Sequence, residues 1–258
     1  MLFLISPAKS LDYETPVGDV PATQPLFVEE ASRLIAVLRK KSPAQVASLM
    51  DLSDPLSALN VARYQAWTPT FTPGNSKQAI LAFDGDVYGG LDAKTLKPAE
   101  LAWTQDHVCI LSGLYGVLRP FDLMQPYRLE MGTGLATPRG GKNLYQFWGS
   151  RLAEYLNTRL AADKTPVVVN CASQEYFRSV DLKALKARVV ECVFEDWKPA
   201  GWKVISFNAK RARGLMVRYA AAKRFSTPRG LEGFNLEGWR FEASASQADR
   251  LVFRRKLP

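Results

Sequence analysis

Short apolar runs alternate along the chain with longer stretches in which apolar residues recur at helical spacing. The runs are bounded by glycine, proline or polar residues, as is typical of buried strands. The predicted strands lie in residues 2–6, 78–83, 108–116, 165–173, 187–196, 202–207 and 251–256. One helix each is predicted in residues 26–41 and 143–162, two helices joined by a tight turn in 42–67, and two short helices in 85–107. This alternation predicts an α/β (α+β) fold, a single compact domain over residues 1–258 with a mixed β-sheet flanked by helices.

Residues 43–66 form a candidate helix-hairpin-helix unit. Ser42 and Asp54 can cap its two helices, each directly before a proline. Such a unit would present backbone N–H groups of its turn to a DNA phosphate, with Arg63 flanking that phosphate. The alternative is a packed helical corner, because the turn lacks glycine and because Asp51 and Asp54 would repel a phosphate.

Positive charge is concentrated in residues 198–231, called the basic segment below. The segment holds nine basic residues and no acidic one, so it accounts for the whole net charge of +9. Within it, residues 208–225 fit a helix with a mostly alanine apolar arc. The cations of the opposite arc are Lys210, Arg211, Arg213, Arg218 and Arg224. A cationic face without acids favours binding of an anion or a nucleic acid, and the alternative is a solvated helix face.

Several polar motifs directly follow predicted strands, and in α/β folds such strand ends line one crevice. A crevice of mixed charge can position a phosphate or polarise a substrate. The candidate crevice residues are Lys9, Asp84, Asp86, Tyr115, Arg119, Tyr127, Arg128, Glu130, Ser173, Glu175 and Tyr176. The alternative is that pairs such as Arg128 and Glu130 only satisfy buried polar groups. No stretch matches a phosphate-binding loop, a dinucleotide fingerprint, a zinc site or a nucleophile elbow, so the pattern names no reaction.

The remaining features concern the cellular setting. No apolar run reaches the roughly 18 residues of a membrane span, and the first run lacks the basic flank of a secretory signal. Cys109, Cys171 and Cys192 are widely spaced and predict neither disulfides nor a metal site, which fits a reducing cytosol. His107 is the only histidine and is interpreted as structural. We therefore expect a cytoplasmic protein without membrane association, metal, other cofactor or obligate protein partner.

Six stretches resemble the motif series of the YaaA peroxide-stress family of bacteria. In the family's order they are LISPAKSLDY, FDGDVYGGL, LSGLYGVLRPFDLMQPYRLEMG, LYQFW, NCASQEYF and FNAKRARGLMVRY, and they span nearly the whole chain. The resemblance implies a cytosolic protein that protects cells during hydrogen peroxide stress by limiting free intracellular iron and DNA damage. It also implies an unusual α/β domain with a helix-hairpin-helix and a positively charged cleft that binds DNA. The family has no established catalytic reaction.

Two functions from different classes therefore remain open. The first is binding of duplex or structured DNA with little sequence preference, protecting it against iron-dependent oxidative damage. Its candidate DNA contacts are Lys9, Arg63, Arg119, Arg128, Lys210, Arg211, Arg213, Arg218 and Arg224. The second is an enzyme acting on a phosphorylated or nucleotide-like small molecule in the crevice. A groove as wide as a duplex favours the first function, and a small closed pocket favours the second.

Direct storage of iron is not expected. The sequence has one histidine and no Glu-x-x-His pair of the kind that holds di-iron centres in helix bundles. Any effect on iron would then be indirect.

Overall fold

A largely parallel sheet around the first predicted strand forms the centre of the fold. The structure is a computed structural model that describes residues 1–137 and 141–256. The strands are β1 (Leu2–Ile5), β2 (Ser10–Leu11), β3 (Lys77–Gln78), β4 (Phe83–Asp84), β5 (Val108–Ser112), β6 (Gly116–Leu118), β7 (Leu123–Met124), β8 (Val167–Cys171), β9 (Arg188–Lys198), β10 (Gly201–Lys203), β11 (Arg240–Phe241) and β12 (Arg250–Arg255). The main sheet has the order β11-β12-β9-β8-β1-β5-β6, with β10 paired to β9.

Both strand directions occur in this sheet. Parallel pairing joins β12, β9, β8, β1 and β5 in that order. Antiparallel pairing adds β6 to β5, β10 to β9 and β11 to β12. Two further pairs, β2 with β4 and β3 with β7, lie outside the main sheet. The predicted α/β fold with a mixed sheet is confirmed.

The order of the parallel strands creates a switch point between β1 and β8. From β1 the chain goes to β5 on one side, and it then crosses to β8 on the other side before continuing to β9 and β12. This is the strand order of doubly wound α/β sheets, in which ligands bind beyond the carboxyl ends of the strands at such a point. Ile5 and Cys171 are in register at those ends, so the following loops begin side by side.

Helices flank the sheet. They are α1 (Val28–Leu38), α2 (Pro43–Met50), α3 (Asp54–Ala66), α4 (Ala79–Ala82), α5 (Asp86–Leu91), α6 (Pro98–His107), α7 (Leu144–Trp148), α8 (Arg151–Arg159), α9 (Gln174–Phe177) and α10 (Ser206–Lys223). Short 3₁₀ turns occur at Ala93–Thr95, Pro228–Gly233, Leu236–Gly238 and Ala243–Ala245. β1, β5 and β8 are buried along their whole length, so the core is centred on them. Among the helices of the two described ranges, none is long and apolar enough to cross a bilayer.

Three predicted elements are partly wrong. Residues 78–83 form the end of β3, the single turn α4 and the start of β4, because α4 is buried on every side and its apolar run carries no period. The predicted helix 143–162 is broken at Gly149, whose φ of +53° is left-handed and ends α7. The predicted strand 202–207 ends early, because α10 already begins at Ser206.

The helical pair α2–α3 corresponds to the candidate unit 43–66. The Ser42 side chain accepts a hydrogen bond from the Gln45 N–H, and the Gln45 side chain accepts one from the Ser42 N–H, so the predicted Ser42 cap is confirmed as a capping box. The predicted Asp54 cap is wrong, since Ser53 occupies the N-cap position and Asp54 begins the helix. Contact of this pair with DNA stays a prediction.

A cluster of charges around Asp12 holds the loop that follows β2. The Asp12 carboxylate accepts a hydrogen bond from Lys94 Nζ at 2.8 Å and lies 3.4 Å from Lys77 Nζ, whose side chain is 4% exposed. The Lys94 hydrogen bond, followed by those from Thr15, holds the pKa of Asp12 well below its ordinary value. The cluster therefore links folding stability to pH.

An Asp12→Asn variant should be less stable than the unchanged chain at neutral pH. The ionised carboxylate contributes stability above its unfolded-state pKa of about 4, and this contribution is lost as pH falls towards the lower folded-state pKa. The difference in free energy of unfolding should therefore shrink as pH falls from about 5 to about 2. Urea unfolding at several pH values measures this difference, and a constant value across the range would contradict the assignment.

Candidate functional site

The carboxyl ends of β1 and β8 open into a pocket of about 420 Å³, called the switch-point pocket below. Its walls are residues 6–10 after β1, residues 84–88 around the start of α5, Glu130, two cations of α10, and Ser173, Glu175 and Tyr176 after β8. The loops after β1 and β8 are tied together, since the Ser173 N–H donates to Ser6 Oγ at 2.9 Å. The pocket therefore lies where the strand order predicts a ligand site.

Local pairing fixes the wall opposite β8. Ser10 in β2 is in register with Asp84 in β4, so the loop after β1 is held against the segment that begins α5. The Tyr88 hydroxyl donates to the Ser6 carbonyl at 3.1 Å and joins α5 to the same loop. The Asp84 and Asp86 positions are thereby set by backbone pairing and by a buried phenol.

Two glycines bring α10 against α5. Gly90 lies against the backbone of Arg211 and Leu215, and Gly214 lies against the backbone of Val87 and Leu91. A side chain at either glycine would overlap a carbonyl oxygen of the partner helix, so only glycine permits this approach. The close crossing places Lys210 and Arg213 of α10 in the wall of the switch-point pocket.

The charged groups of the pocket differ in whether they already have partners. Glu130 makes ion pairs with Lys9 at 3.2 Å and with Arg128 at 3.0 Å. Glu175 accepts a hydrogen bond from the Gly132 N–H at 2.9 Å. These two carboxylates therefore hold the pocket's own loops in place.

Four charged side chains of the pocket are unpaired. Asp84, Asp86 and Lys210 make no side-chain hydrogen bond or ion pair with any described residue. Arg213 Nε is fully buried and likewise has no hydrogen-bond partner within residues 1–137 and 141–256. These charged groups are therefore available to pair with a ligand of the pocket.

Two buried tyrosines complete the lining. Burial raises the pKa of Tyr88 and of Tyr176 well above the ordinary tyrosine value, so both stay protonated at neutral pH. They present neutral hydroxyls and ring edges rather than charge. Together with the unpaired groups, this makes a polar cavity that can orient a small molecule.

The predicted crevice residues divide into two groups. The structure brings together Lys9, Asp84, Asp86, Glu130, Ser173, Glu175 and Tyr176 in the switch-point pocket. Tyr115 and Tyr127 instead lie in the core, where the Tyr115 hydroxyl accepts from Trp67 Nε1 at 2.9 Å and the Tyr127 hydroxyl is 2.6 Å from Ser112 Oγ. Burial raises the pKa of both phenols.

Three predicted DNA contacts outside α10 make structural contacts. Arg119 forms an ion pair at 2.9 Å with the buried carboxylate of Asp122. Arg128 pairs with Glu130. Arg63 is half-buried in α3, where desolvation lowers the pKa of its guanidinium.

The cations of the predicted basic helix are not all on the helix, nor are all of them free of partners. α10 spans Ser206–Lys223 rather than 208–225, and Arg224 follows it as a C-cap with a left-handed φ of 52°. Arg211 makes a bidentate contact with Glu237 at 3.0 Å to each oxygen, which raises the Arg211 pKa and lowers that of Glu237. Arg218 donates to the Leu91 and Asp92 carbonyls at 3.0 Å.

The basic segment nevertheless keeps a group of free charges. Six exposed cations in it make no ion pair with any residue that the structure describes. They are Lys198, Lys203, Lys210, Lys223, Arg224 and Arg229. Lys210 and Lys223 lie on α10, whereas the other four lie in the β9–β10 hairpin and just beyond α10, so the free charge is found towards the two ends of the helix.

Sequence reasoning missed the aromatic surface beside these cations. Trp197 and Trp202 pair across the β9–β10 hairpin with ring centroids 5.1 Å apart, and Trp197 is 42% exposed. Phe207, at the start of α10, is 62% exposed. The repeated Trp-Lys of the stretch WKPAGWK was the available signal. The same reasoning missed Ser6, which lines the pocket. Its place directly after β1 was the available signal.

Comparison with known proteins identifies similar sequences over the full length. A family model described as "Peroxide stress protein YaaA" matches residues 1–245. A UPF0246 protein of Variovorax paradoxus (strain S110) is 68% identical over 263 residues, covering 100% of both chains. A UPF0246 protein of Albidiferax ferrireducens is 66% identical over 258 residues, covering 100% of this chain and 99% of the relative. A UPF0246 protein of Bordetella pertussis (strain Tohama I) is 64% identical over 256 residues, covering 99% of each chain.

Proposed function

The chain belongs to the peroxide stress protein YaaA family, and on that premise we propose that it acts in the peroxide stress response by binding DNA with little sequence preference. Bound protein would shield duplex or structured DNA from iron-dependent oxidative damage. The effect on iron would be indirect, since within the described ranges no three His, Cys, Asp or Glu side chains come together as a metal site. The proposal places the protein in the cytoplasm.

The observation that carries the proposal is the group of six exposed, unpaired cations in the basic segment. Elsewhere in the chain basic and acidic residues are equal in number, so this segment sets the sign of the long-range field. α10 alone is about 27 Å long at 1.5 Å per residue, which is long enough to follow several phosphates of one strand. A polyanion with regularly spaced charges could contact several of these exposed cations at once.

The same cations account for the expected lack of sequence preference. Lysine and arginine side chains on phosphates position a protein on DNA but read no base. The exposed Trp197 and Phe207 add apolar surface beside the charges, on which unpaired bases of structured DNA could stack. We place the interface on α10 and the β9–β10 hairpin rather than on α2–α3, whose turn exposes Asp51 and Asp54.

DNA affinity should fall steeply with salt. With about six phosphate contacts, raising salt from 50 to 200 mM should weaken binding of a duplex about 10³-fold, through a slope near −0.9 per contact. Fluorescence anisotropy with two duplexes of unrelated sequence measures this, and both should give the same affinity within about threefold. Absence of binding at 50 mM salt would refute the proposal.

Variants locate the interface. Changing Lys223→Ala, Arg224→Asn and Arg229→Ala together should weaken DNA binding at least about tenfold at 100 mM salt and reduce the salt slope by about three. Asparagine is chosen at Arg224 because it tolerates the left-handed backbone there. The fold should be unaffected, since all three side chains are exposed.

The matched control removes three exposed lysines outside the basic segment: Lys40, Lys183 and Lys186. Both triple variants lose the same net charge. If the control weakens DNA binding as strongly as the first variant, the total charge rather than the basic segment is responsible, and the proposed interface is wrong.

A further inference from the structure

We propose that the switch-point pocket binds a phosphorylated small molecule of mononucleotide size. The phosphate would lie against Lys210 and Arg213 of α10. Hydroxyl or amino groups at the other end of the ligand would donate to Asp84 and Asp86. This site shares Lys210 with the proposed DNA surface but none of its other five cations, and its occupant is a free ligand rather than a nucleic acid strand.

Topology is the first argument. In open α/β sheets the ligand lies beyond the carboxyl ends of the strands at the point where the strand order reverses. Here that point is between β1 and β8, and the cavity is found there, lined by the loops that leave both strands. Its volume of about 420 Å³ falls within the roughly 300–1,000 Å³ usual for small-molecule sites.

Arg213 supplies the second argument. Its guanidinium carries only donors, and Arg213 lines the pocket without an ion pair to any described residue. The neighbouring Gly214 is held against α5, which fixes the Arg213 backbone beside the pocket. Planar donors of this kind match phosphate oxygens, and Lys210 adds a second positive charge in the same wall.

The unpaired carboxylates define the rest of the ligand. Asp84 and Asp86 are acceptors without donors from residues 1–137 or 141–256, and carboxylates at such sheet edges commonly hold ribose hydroxyls. A polyphosphate fits less well, since the pocket offers Lys210 and Arg213 for one phosphate and the unpaired carboxylates Asp84 and Asp86 for the rest of the ligand. A ligand with a phosphate at one end and hydrogen-bond donors at the other would pair with both the cations and the unpaired carboxylates of the pocket. A ribonucleoside monophosphate is such a ligand.

Isothermal titration calorimetry of the full chain tests the assignment. The probes are the four ribonucleoside 5′-monophosphates and inorganic phosphate. We expect at least one nucleotide to bind with a micromolar dissociation constant, at least about tenfold more tightly than inorganic phosphate. Failure of all four nucleotides to bind at millimolar concentration overturns the proposal, and so does equal affinity for nucleotide and inorganic phosphate.

Variants assign the two ends of the ligand. Arg213→Met should weaken both the nucleotide and inorganic phosphate at least about tenfold, because it removes the phosphate donors. Asp84→Asn should weaken the nucleotide while leaving or strengthening the affinity for inorganic phosphate. Arg224→Asn, outside the pocket, should change neither affinity.

A folding defect cannot hide the outcome. If Arg213→Met does not fold, the exposed Lys210→Met variant tests the same phosphate contact. Nucleotide affinity that is unchanged in a folded Arg213 or Lys210 variant overturns the proposed orientation. The triple variant of Lys223, Arg224 and Arg229 separates the two sites, since it should lose DNA affinity and keep nucleotide affinity.

Discussion

Replacing Arg255 by methionine should destabilise the fold by about 3–5 kcal/mol, the usual effect of removing one partner of a buried ion pair. The Arg255 Nε in β12 donates to Asp196 in β9 at 3.0 Å, and the Asp196 side chain is 2% exposed. Asn208 Nδ2 is the other donor to this carboxylate, at 2.8 Å. Without Arg255, the buried Asp196 carboxylate would keep one neutral donor among the residues that the structure describes.

Urea unfolding followed by circular dichroism measures the effect. Methionine retains the apolar stem but removes the guanidinium, which also lies 4.3 Å from the centroid of the Trp239 ring, so the loss includes this cation–π contact as well as the ion pair. The control is the double variant Asp196→Asn with Arg255→Met, in which both charges are removed. It should recover much of the lost stability, because neutral replacements of a buried pair are often tolerated. A double variant as unstable as Arg255→Met alone would show that packing, not charge, is responsible.

Replacing Gly90 by alanine should lower the free energy of unfolding by about 2–4 kcal/mol, although alanine is favoured over glycine within a helix by about 1 kcal/mol. The new Cβ would overlap the Arg211 carbonyl oxygen and lie 3.0 Å from the Leu215 nitrogen. Both are backbone atoms of α10, so relief requires the whole helix to move. The same shift would displace Lys210 and Arg213 from the pocket, so nucleotide affinity should fall as well.

Gly89 provides the matched control in the same turn of α5. A Cβ there would meet only the Arg211 guanidinium at 3.6 Å, an ordinary contact with a flexible side chain. Gly89→Ala should therefore be neutral or stabilise by up to about 1 kcal/mol. If the two variants unfold at the same urea concentration, the close crossing of α5 and α10 is wrong.

The central strands and much of the pocket could be predicted because both depend on local pattern. β1, β5 and β8 are buried on both faces, and such strands read as continuous apolar runs. The polar residues that follow the parallel strands β1 and β8 meet at one edge, so Lys9, Ser173 and Glu175 can be grouped from the sequence, whereas Asp84 reaches the pocket through the antiparallel pairing of β4 with β2. Neither inference required knowledge of which strands are neighbours.

The rest depends on contacts between distant segments. Helical spacing placed Arg211 and Arg218 on one cationic arc, but Glu237 and the carbonyls at the end of α5 come from elsewhere in the chain. Tyr115 and Tyr127 belong to polar motifs, yet the return of β6 along β5 carries the segment into the core. Packing between distant segments decides whether a polar side chain faces a pocket or a buried partner. The spacing of residues along one element does not reveal that packing.

The central place of β1 has a consequence for synthesis on the ribosome. Its two neighbours are Val108–Ser112 and Val167–Cys171, both far downstream in the chain. β1 is made before both neighbours and therefore has no partner until β5 has emerged. The switch-point pocket is complete only after α10 has been made. Native pairing of such high sequence separation folds slowly, so the nascent chain exposes an aggregation-prone segment until β5 has been made.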